Sequence, residues 1–399
     1  MISSHKLKNK ILRDRYNSIV FEKGRGRDLY LVGGYVRDVL RGTHSTDRDY
    51  IVSGDIKYFV NEITGITGGT VVELRKEQMI RVGLKGGVTL DFSRPVGTLK
   101  EDLSKRDFTI NAIAWSPDKG IIDLHKGVND INKKKIRSIS KENLIADPLR
   151  MLRAYRFAAE FNGSIEESTR KAIKMLHSKI KEVSSERITL ELSNLLNSDH
   201  PARYLKMALS DGLLTDILSI PYRTLERNIK GISTLEATIN KLPSKIQVLL
   251  KEIFSQTLTY KGLLCLELLL QIDDDSVAVT KVPKIKISNA IRKRIDMTHK
   301  GIKEFRGGGS NLFDVFLVSK EAAMDVLIIK DKLGLFRDYE RFKKIWKKGL
   351  LSSEEIISIT EVKTGPKLGR IIVKLKKAQF EGRVRSKRSA IEFTKTLNF

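Results

Sequence analysis

The chain has 399 residues and a hydrophobic content of 41%, enough for about two to four modest domains with real cores, which excludes a wholly disordered polypeptide. Its net charge of +26, from 74 Lys and Arg against 48 Asp and Glu, points to a polyanionic partner, most simply a nucleic acid. A membrane surface is the rival, but no basic amphipathic anchor stands out, and the most apolar stretch, Leu263 to Ile272, is too short to span a bilayer and contains Glu267. The single cysteine, Cys265, excludes an intrachain disulfide and suits core packing in a reducing compartment.

The N-terminus, MISSHKLKNK, has no apolar signal segment, so a soluble, cytoplasmic protein is expected. Residues 1–27 are basic and polar and predict a helix and a lead-in loop. Leu29 to Val32 reads as a short apolar strand. Gly33 and Gly34 follow it and open a helix with Val36, Val39 and Leu40 on one side. Glycines at a strand-to-helix turn let backbone N–H groups approach an anion, which a helix N-terminus also favours. Beyond Gly42 the chain turns into Asp47-Arg48-Asp49-Tyr50-Ile51-Val52. In a strand, residues i and i+2 point to one side, so Asp47 and Asp49 project together and can share hard cations. Either feature alone also fits a plain turn. No Gly-Lys-Ser/Thr follows, so this is not a P-loop.

A helix near Ile56 to Glu62 comes next, then strands at Thr70 to Leu74, Met79 to Val82 and Val88 to Phe92, the last two separated by glycines as in a hairpin. This alternation predicts an α+β region with an at least partly antiparallel sheet. Asp91 is a candidate third carboxylate beside Asp47 and Asp49, or a strand-end residue bonding a turn. In Leu103 to Trp115, Phe108, Ile110 and Ile113 are core-like, whereas Arg106 suits a phosphate and Asp107 and Asn111 suit a ribose. A helix start with an ion pair explains the same residues. Ile121 to Leu124 reads as a last strand.

In Ala146 to Phe161, Asp147 suits an N-cap and Pro148 a first helical turn. Leu149, Leu152, Phe157 and Phe161 give an apolar face, while Arg150, Arg153 and Arg156 recur every third residue as a basic stripe. Such a stripe is most often a solvated face. From about residue 162 the chain reads as helical: Ser164 to Ile180, then a helix beginning in Ser184 to Leu192 that fits neck packing, then one starting at His200-Pro201. No His-Asp dyad or His/Cys cluster is visible, which speaks against zinc. Residues 220–350 carry little chemical signal, and Arg306 to Ser310 reads as a linker. Between Glu361 and Phe399 there are 11 Lys/Arg and 3 Asp/Glu, a basic helical end suited to a phosphate backbone.

Three of these motifs, in this order, resemble one family. Gly-Gly-x-Val-Arg-Asp followed by Asp-x-Asp, then Lys105-Arg-Asp-Phe-Thr-Ile-Asn-Ala, then Asp147-x-x-Arg-x-x-Arg-x-x-Arg-Phe look like class II CCA-adding tRNA nucleotidyltransferases and bacterial poly(A) polymerases. Ser184 to Leu192 and the Gly365-Pro366-x-x-Gly369 start of the tail are similar to that family too. Lys105 stands where the family has Arg, and Ala146 where it has Glu. The resemblance implies a DNA-polymerase-β-like head over residues 1–140, a helical neck over 141–215, a helical body over 216–350 and an RNA-binding tail over 351–399. It further implies that Asp47 and Asp49 hold two Mg²⁺, and that Asp147 and Arg150 read the base edge of CTP or ATP. Gly33, Gly34, Arg37, Arg106, Asp107, Asn111, Arg153 and Arg156 complete the implied nucleotide site. The implied partner is the tRNA 3′ end, receiving CCA, CC or A. A poly(A) polymerase and a defunct, RNA-binding relative remain the alternatives.

Overall fold

The computed structural model describes residues 4–271, 284–306 and 311–397. The chain divides into two compact units, Met1–Ser219 and Ile220–Phe399.

The first unit opens with two helices, α1 (Ser4–Leu12) and α2 (Arg15–Lys23), where the sequence suggested a single helix and a loop. Asp14 makes the difference. It caps α2 by accepting from the Asn17 N–H at 2.9 Å, and it holds Arg48 at 2.5 Å. Seven strands follow in one sheet: β1 (Leu29–Val32), β2 (Asp47–Val52), β3 (Thr70–Arg75), β4 (Met79–Gly83), β5 (Thr89–Ser93), β6 (Ile113–Ser116) and β7 (Gly120–Asp123). Their spatial order is β3-β4-β5-β2-β1-β6-β7. β2 lies centrally, antiparallel to β1 and parallel to β5, so it has hydrogen-bonded neighbours on both edges. Strand alternation sends Arg48 and Tyr50 to one face and Asp47, Asp49 and Ile51 to the other.

On the first face Tyr50 stacks on Phe92 at 5.0 Å, with Phe59 edge-on to Phe92 and Phe21 edge-on to Trp115. On the second face Tyr30, Val32, Ile51 and Ala114 form a core with Leu103. Val32, Ile51 and Leu103 each contribute about 1.5–3 kcal/mol by burial. The connecting helices are α3 (Gly34–Arg41), α4 (Ile56–Thr67), α5 (Leu99–Ser104) and α6 (Gly127–Asn132).

The remainder of this unit is α7 (Lys141–Ala146), α8 (Leu149–Phe161), α9 (Glu167–Leu176), α10 (Ser185–Leu196), α11 (Pro201–Ser210) and α12 (Leu213–Leu218). The segment expected to be helical from Ser164 begins differently. Ser164–Ile165 forms a short strand, β9, parallel to β8 (Lys135–Ile136), and Glu166 caps α9 through the Thr169 N–H at 2.9 Å. α9 also stops at Leu176, and His177–Glu182 continues as a 3₁₀ turn. That turn carries a pairing invisible in the sequence: His177 Nδ1 lies 2.6 Å from Asp216 Oδ2, whose other oxygen takes Lys181 at 2.7 Å. It ties the turn to α12 and is no metal cluster.

The second unit is mostly helical: α13 (Tyr222–Asn240), α14 (Ser244–Leu249), α15 (Tyr260–Leu269), α16 (Asn289–Arg306), α17 (Leu312–Ser319), α18 (Ala323–Ile329), α19 (Phe336–Lys347), α20 (Ser353–Thr360), α21 (Pro366–Phe380) and α22 (Lys387–Lys395). A hairpin of β10 (Ile253–Ser255) and β11 (Leu258–Thr259) interrupts the helices. Of the expected linker Arg306 to Ser310, Arg306 ends α16 and 307–310 lie outside the described residues. Phe313, Phe316, Tyr339, Phe342 and Phe380 build an aromatic core; Leu351, Ile356, Leu368, Ile371 and Leu375 build a second core under the tail helices. Cys265 is buried in α15, and burial pushes its thiol up to about 12. Among the described residues, no helix is long and apolar enough to cross a membrane.

Candidate nucleotide-binding cleft

Gly33 sits where β1 becomes α3, at φ 71°, a left-handed conformation that favours glycine. The position is also too tight for a side chain. A Cβ there would lie 2.7 Å from Arg106 Nη1 and 3.5 Å from Asp49 Oδ2. The turn therefore brings together the glycine pair, one aspartate of β2 and the guanidinium of Arg106.

Asp47 and Asp49 project from the same face of β2. Asp47 Oδ1 accepts from Thr89 Oγ1 at 2.7 Å, which fixes its orientation from the parallel neighbour β5. Asp91 stands beside Asp49 in register, but both of its oxygens accept from Arg81 at 2.7 Å. Burial raises the Asp49 carboxyl above its ordinary value, Arg106 opposes the rise, and Asp91 and Asp47 add to it. Among the described residues, no cluster of three or more His, Cys, Asp or Glu is arranged to hold a metal ion. The available donor set is thus two crowded carboxylates, one of them half out of water. That set suits Mg²⁺, which commonly takes one or two carboxylates and completes its shell with substrate phosphates and water.

The facing wall comes from α8 and the segment before β6. Asp107 Oδ1 accepts from the Phe108 N–H at 2.8 Å and from Asn111 Nδ2 at 2.9 Å, and its Oδ2 accepts from Arg153 Nε at 3.0 Å. Burial disfavours the Asp107 charge, but Arg153, Asn111 and the Phe108 N–H outweigh it and hold the carboxyl below its ordinary value. Asn111 Oδ1 in turn accepts from Arg37 Nη1 at 2.7 Å, and Arg37 also bonds both oxygens of Asp38. Arg106 holds Asp102 only loosely, at 3.3 Å, which leaves it available to an anion. Asp147 lies just before α8 and accepts from the Leu149 N–H at 3.3 Å, in place of the N-cap role that falls to Pro148. Arg150 donates to the Asn143 carbonyl at 3.1 Å. The basic stripe is therefore not a solvated face: Arg153 and Arg156 are both ion-paired, and Arg37, Arg153 and Arg156 surround the Phe157 ring.

These walls enclose a cleft of about 510 Å³ lined by the twelve residues of the implied metal and nucleotide site, together with Asp38, Ser45 and Phe157; Asp91, the candidate third carboxylate, is not among its lining residues. Five arginines and five aspartates line it, so the cleft is formally neutral but polarised, acidic at β2 and basic at α8. A polyanion alone gains little from a neutral cleft. A triphosphate accompanied by divalent cations matches both walls.

The sequence reading missed the residues behind the wall. Glu191 of α10, 6% exposed, accepts from Arg153 at 3.2 Å and Arg156 at 2.6 Å. Arg187 of α10 donates to Asp147 Oδ2 at 2.8 Å. Both lie in the Ser184 to Leu192 segment that resembles the family, but that segment reads from the sequence as neck packing, and their partners on α8 are out of its reach.

Comparison with known proteins agrees with this architecture. Residues 70–137 match a family model described as the poly(A) polymerase head domain, and 163–222 match one described as a probable RNA- and SrmB-binding site of polymerase A. A CC-adding tRNA nucleotidyltransferase of Synechocystis is 26% identical over 92% of this chain and 93% of its own length. A CCA-adding enzyme of Enterococcus faecalis is 38% identical over 43% of this chain and 46% of its own. The solved CCA-adding enzyme of Thermotoga maritima, complexed with tRNA, has the same fold at TM-score 0.78 and 21% identity, covering 98% of this chain and 97% of that one. With its polymerase-β-like head and helical remainder, the chain is similar along nearly its whole length to CCA-adding tRNA nucleotidyltransferases, and shares their fold.

Proposed function

We propose that this protein is a template-independent nucleotidyltransferase that adds C and A residues to the 3′ end of tRNA from CTP and ATP. The observation that carries this reading is the polarised cleft, with two aspartates on one wall and the Asp147–Arg150 edge on the other. The RNA 3′-hydroxyl oxygen bonds to the α-phosphorus, the bond from that phosphorus to the β-phosphate bridge breaks, and pyrophosphate leaves while the hydroxyl proton passes to solvent. Asp47 and Asp49 would hold Mg²⁺. When bound, the ions supply Lewis acidity that acidifies the attacking hydroxyl and neutralises the leaving group. The protein's own residues position: the Gly33–Gly34 turn and Arg106 receive phosphates, and Asp107 with Asn111 addresses the ribose. Such positioning accounts for most of phosphoryl-type catalysis.

Base choice follows from hydrogen-bond polarity. Cytosine and adenine present an exocyclic amino donor where uracil and guanine present a keto acceptor. A carboxylate, Asp147, accepts from the amino group and repels the keto oxygen, while Arg150 donates to a neighbouring ring acceptor. Division into a head to about residue 140, a nucleotide-selecting neck, a body and a basic RNA-binding tail belongs to the same proposal, as does a cytoplasmic location.

The test is product length on tRNA lacking its terminal CCA, with each nucleotide alone and combined. Addition of three nucleotides is expected. Stopping after two would make it a CC-adding enzyme, the activity named for the Synechocystis relative that matches nearly full length. Long A tails on unstructured RNA would replace the tRNA reading with poly(A) synthesis, and no extension at all would leave an RNA-binding protein.

A further inference from the structure

β3 ends the seven-stranded sheet: it pairs with β4 on one edge, and among the described residues no strand takes the other. All six of its residues are exposed, the apolar Val71, Val72 and Leu74 by 44%, 47% and 44%. An open edge offers its N–H and C=O groups to any extended chain, and proteins usually guard it with lysine, proline, a bulge or a covering element. β3 contains no lysine and no proline, and its β-branched Thr70, Val71 and Val72 suit it to pairing. Its one guard is a register shift between Glu73 and Arg75, toward its end. The patch does not suit RNA: in a chain of net charge +26, this strand carries one Glu and one Arg and is neutral. The order of those two charges suits a different partner. Laid antiparallel on its own copy with Leu74 opposite Leu74, the strand sets each Glu73 against the Arg75 of the other copy, and each Val72 against the stem of Lys76. With Glu73 on the axis instead, the two glutamates would oppose each other.

We propose that the free edge of β3 is a self-association surface: two copies of this chain pair β3 to β3, antiparallel about Leu74, and join their sheets into one. The ladder of β2, β5, β4 and β3 sets Asp49, Asp91, Arg81 and Val72 in one row, so Val72 lies on the sheet face of the two aspartates. A two-fold axis normal to the sheet keeps that face on one side in both copies, with the two Asp49 residues about 35 Å apart across the joined strands. A six-residue edge alone falls short of the roughly 1,200 Å² of a stable interface, so the dimer should be weak, with a Kd on the order of micromolar.

The experiment is sedimentation velocity on the full chain from about 1 to about 100 µM. The mean mass should climb toward twice that of the chain. Val72→Lys, at an exposed side chain that would face Lys76 of the other copy, should hold it at one. Glu73→Arg and Arg75→Glu, each alone, bring like charges together and should raise the Kd about tenfold. Mixed in equal amounts, the two variants set opposite charges against each other again and should associate as the parent chain does, which a merely adhesive patch would not reproduce. A chain that is monomeric throughout overturns the proposal, as does a dimer that Val72→Lys leaves intact or a mixture no tighter than its components. If the chain stays monomeric while Arg75→Glu lowers tRNA retention on a filter, the edge serves RNA and the self-pairing reading falls.

Discussion

Arg153→Met tests how the cleft wall is held together. Arg153 contacts two acids whose side chains are 9% and 8% exposed, Asp107 and Glu191, and is itself 31% exposed. Methionine keeps the stem and removes the guanidinium. Glu191 retains Arg156 at 2.6 Å, but Asp107 is left with two neutral donors, the Phe108 N–H and Asn111 Nδ2. Stranding one partner of a buried pair costs about 3–5 kcal/mol; the partial exposure of Arg153 and the two surviving donors bring the expectation to about 2–3 kcal/mol. The stranded carboxylate gives the loss a pH signature. In the parent chain the Asp107 carboxyl is held below its ordinary value, so it contributes stability above its unfolded pKa, and this is lost as pH falls through the folded pKa. In Arg153→Met that carboxyl rises, and protonating it removes the stranded charge. The gap between variant and parent should therefore be widest near pH 7 and narrow toward about pH 4. Urea denaturation followed by Trp115, buried in the sheet, reads it in a Trp346→Phe background, since the chain has two tryptophans. Adding Asp107→Asn should return about 1–2 kcal/mol of the loss. A cost under about 0.5 kcal/mol, or a gap that does not change with pH, would show that the pair is not what braces the wall.

Thr89→Val removes the hydroxyl that orients Asp47, and should raise the Mg²⁺ concentration for half-maximal incorporation about tenfold, read by metal titration. Glu267 lies fully buried in α15 with Thr298 Oγ1 donating at 2.8 Å, and burial, reinforced by Asp325, drives its carboxyl well above the ordinary range. Its stabilising contribution is complete below the unfolded pKa and is lost as pH rises through the folded one; Glu267→Gln should flatten that decline in a series of thermal melts. Lys367→Ala with Arg370→Ala, both exposed on α21, should weaken tRNA retention on a filter and lower the salt slope by roughly 1–2, with no change in nucleotide selectivity.

What could be read in the sequence was whatever local period or spacing dictates. Asp47 and Asp49 are two apart in a strand, so their shared face needed no tertiary knowledge. Gly33 was legible as a turn, but its need to be glycine comes from Arg106, which arrives from 73 positions later and crowds the place of a Cβ. Arg153 and Arg156 were visible as a stripe, yet a stripe looks alike whether it faces water or Glu191; only the packing of α10 on α8 separates the cases. The helix α2 was missed because its cap, Asp14, sits in a basic polar stretch, and its tie to the sheet is Arg48, on the strand remembered for its aspartates. The His177–Asp216 pair, 39 residues apart, leaves no local trace at all.

The central position of β2 has a further consequence, for ion size. Its two aspartates sit on a backbone laddered to β1 on one edge and β5 on the other, with Cα atoms two residues apart spaced by about 6.6 Å. A strand paired on both edges resists stretching, so a change in coordination radius falls mainly on side-chain torsion. Calcium, whose oxygen ligands stand about 0.3–0.5 Å farther out than those of magnesium, would meet a gauge it cannot stretch. On the proposal that Asp47 and Asp49 hold Mg²⁺, the paired strand would favour the smaller ion over the larger one.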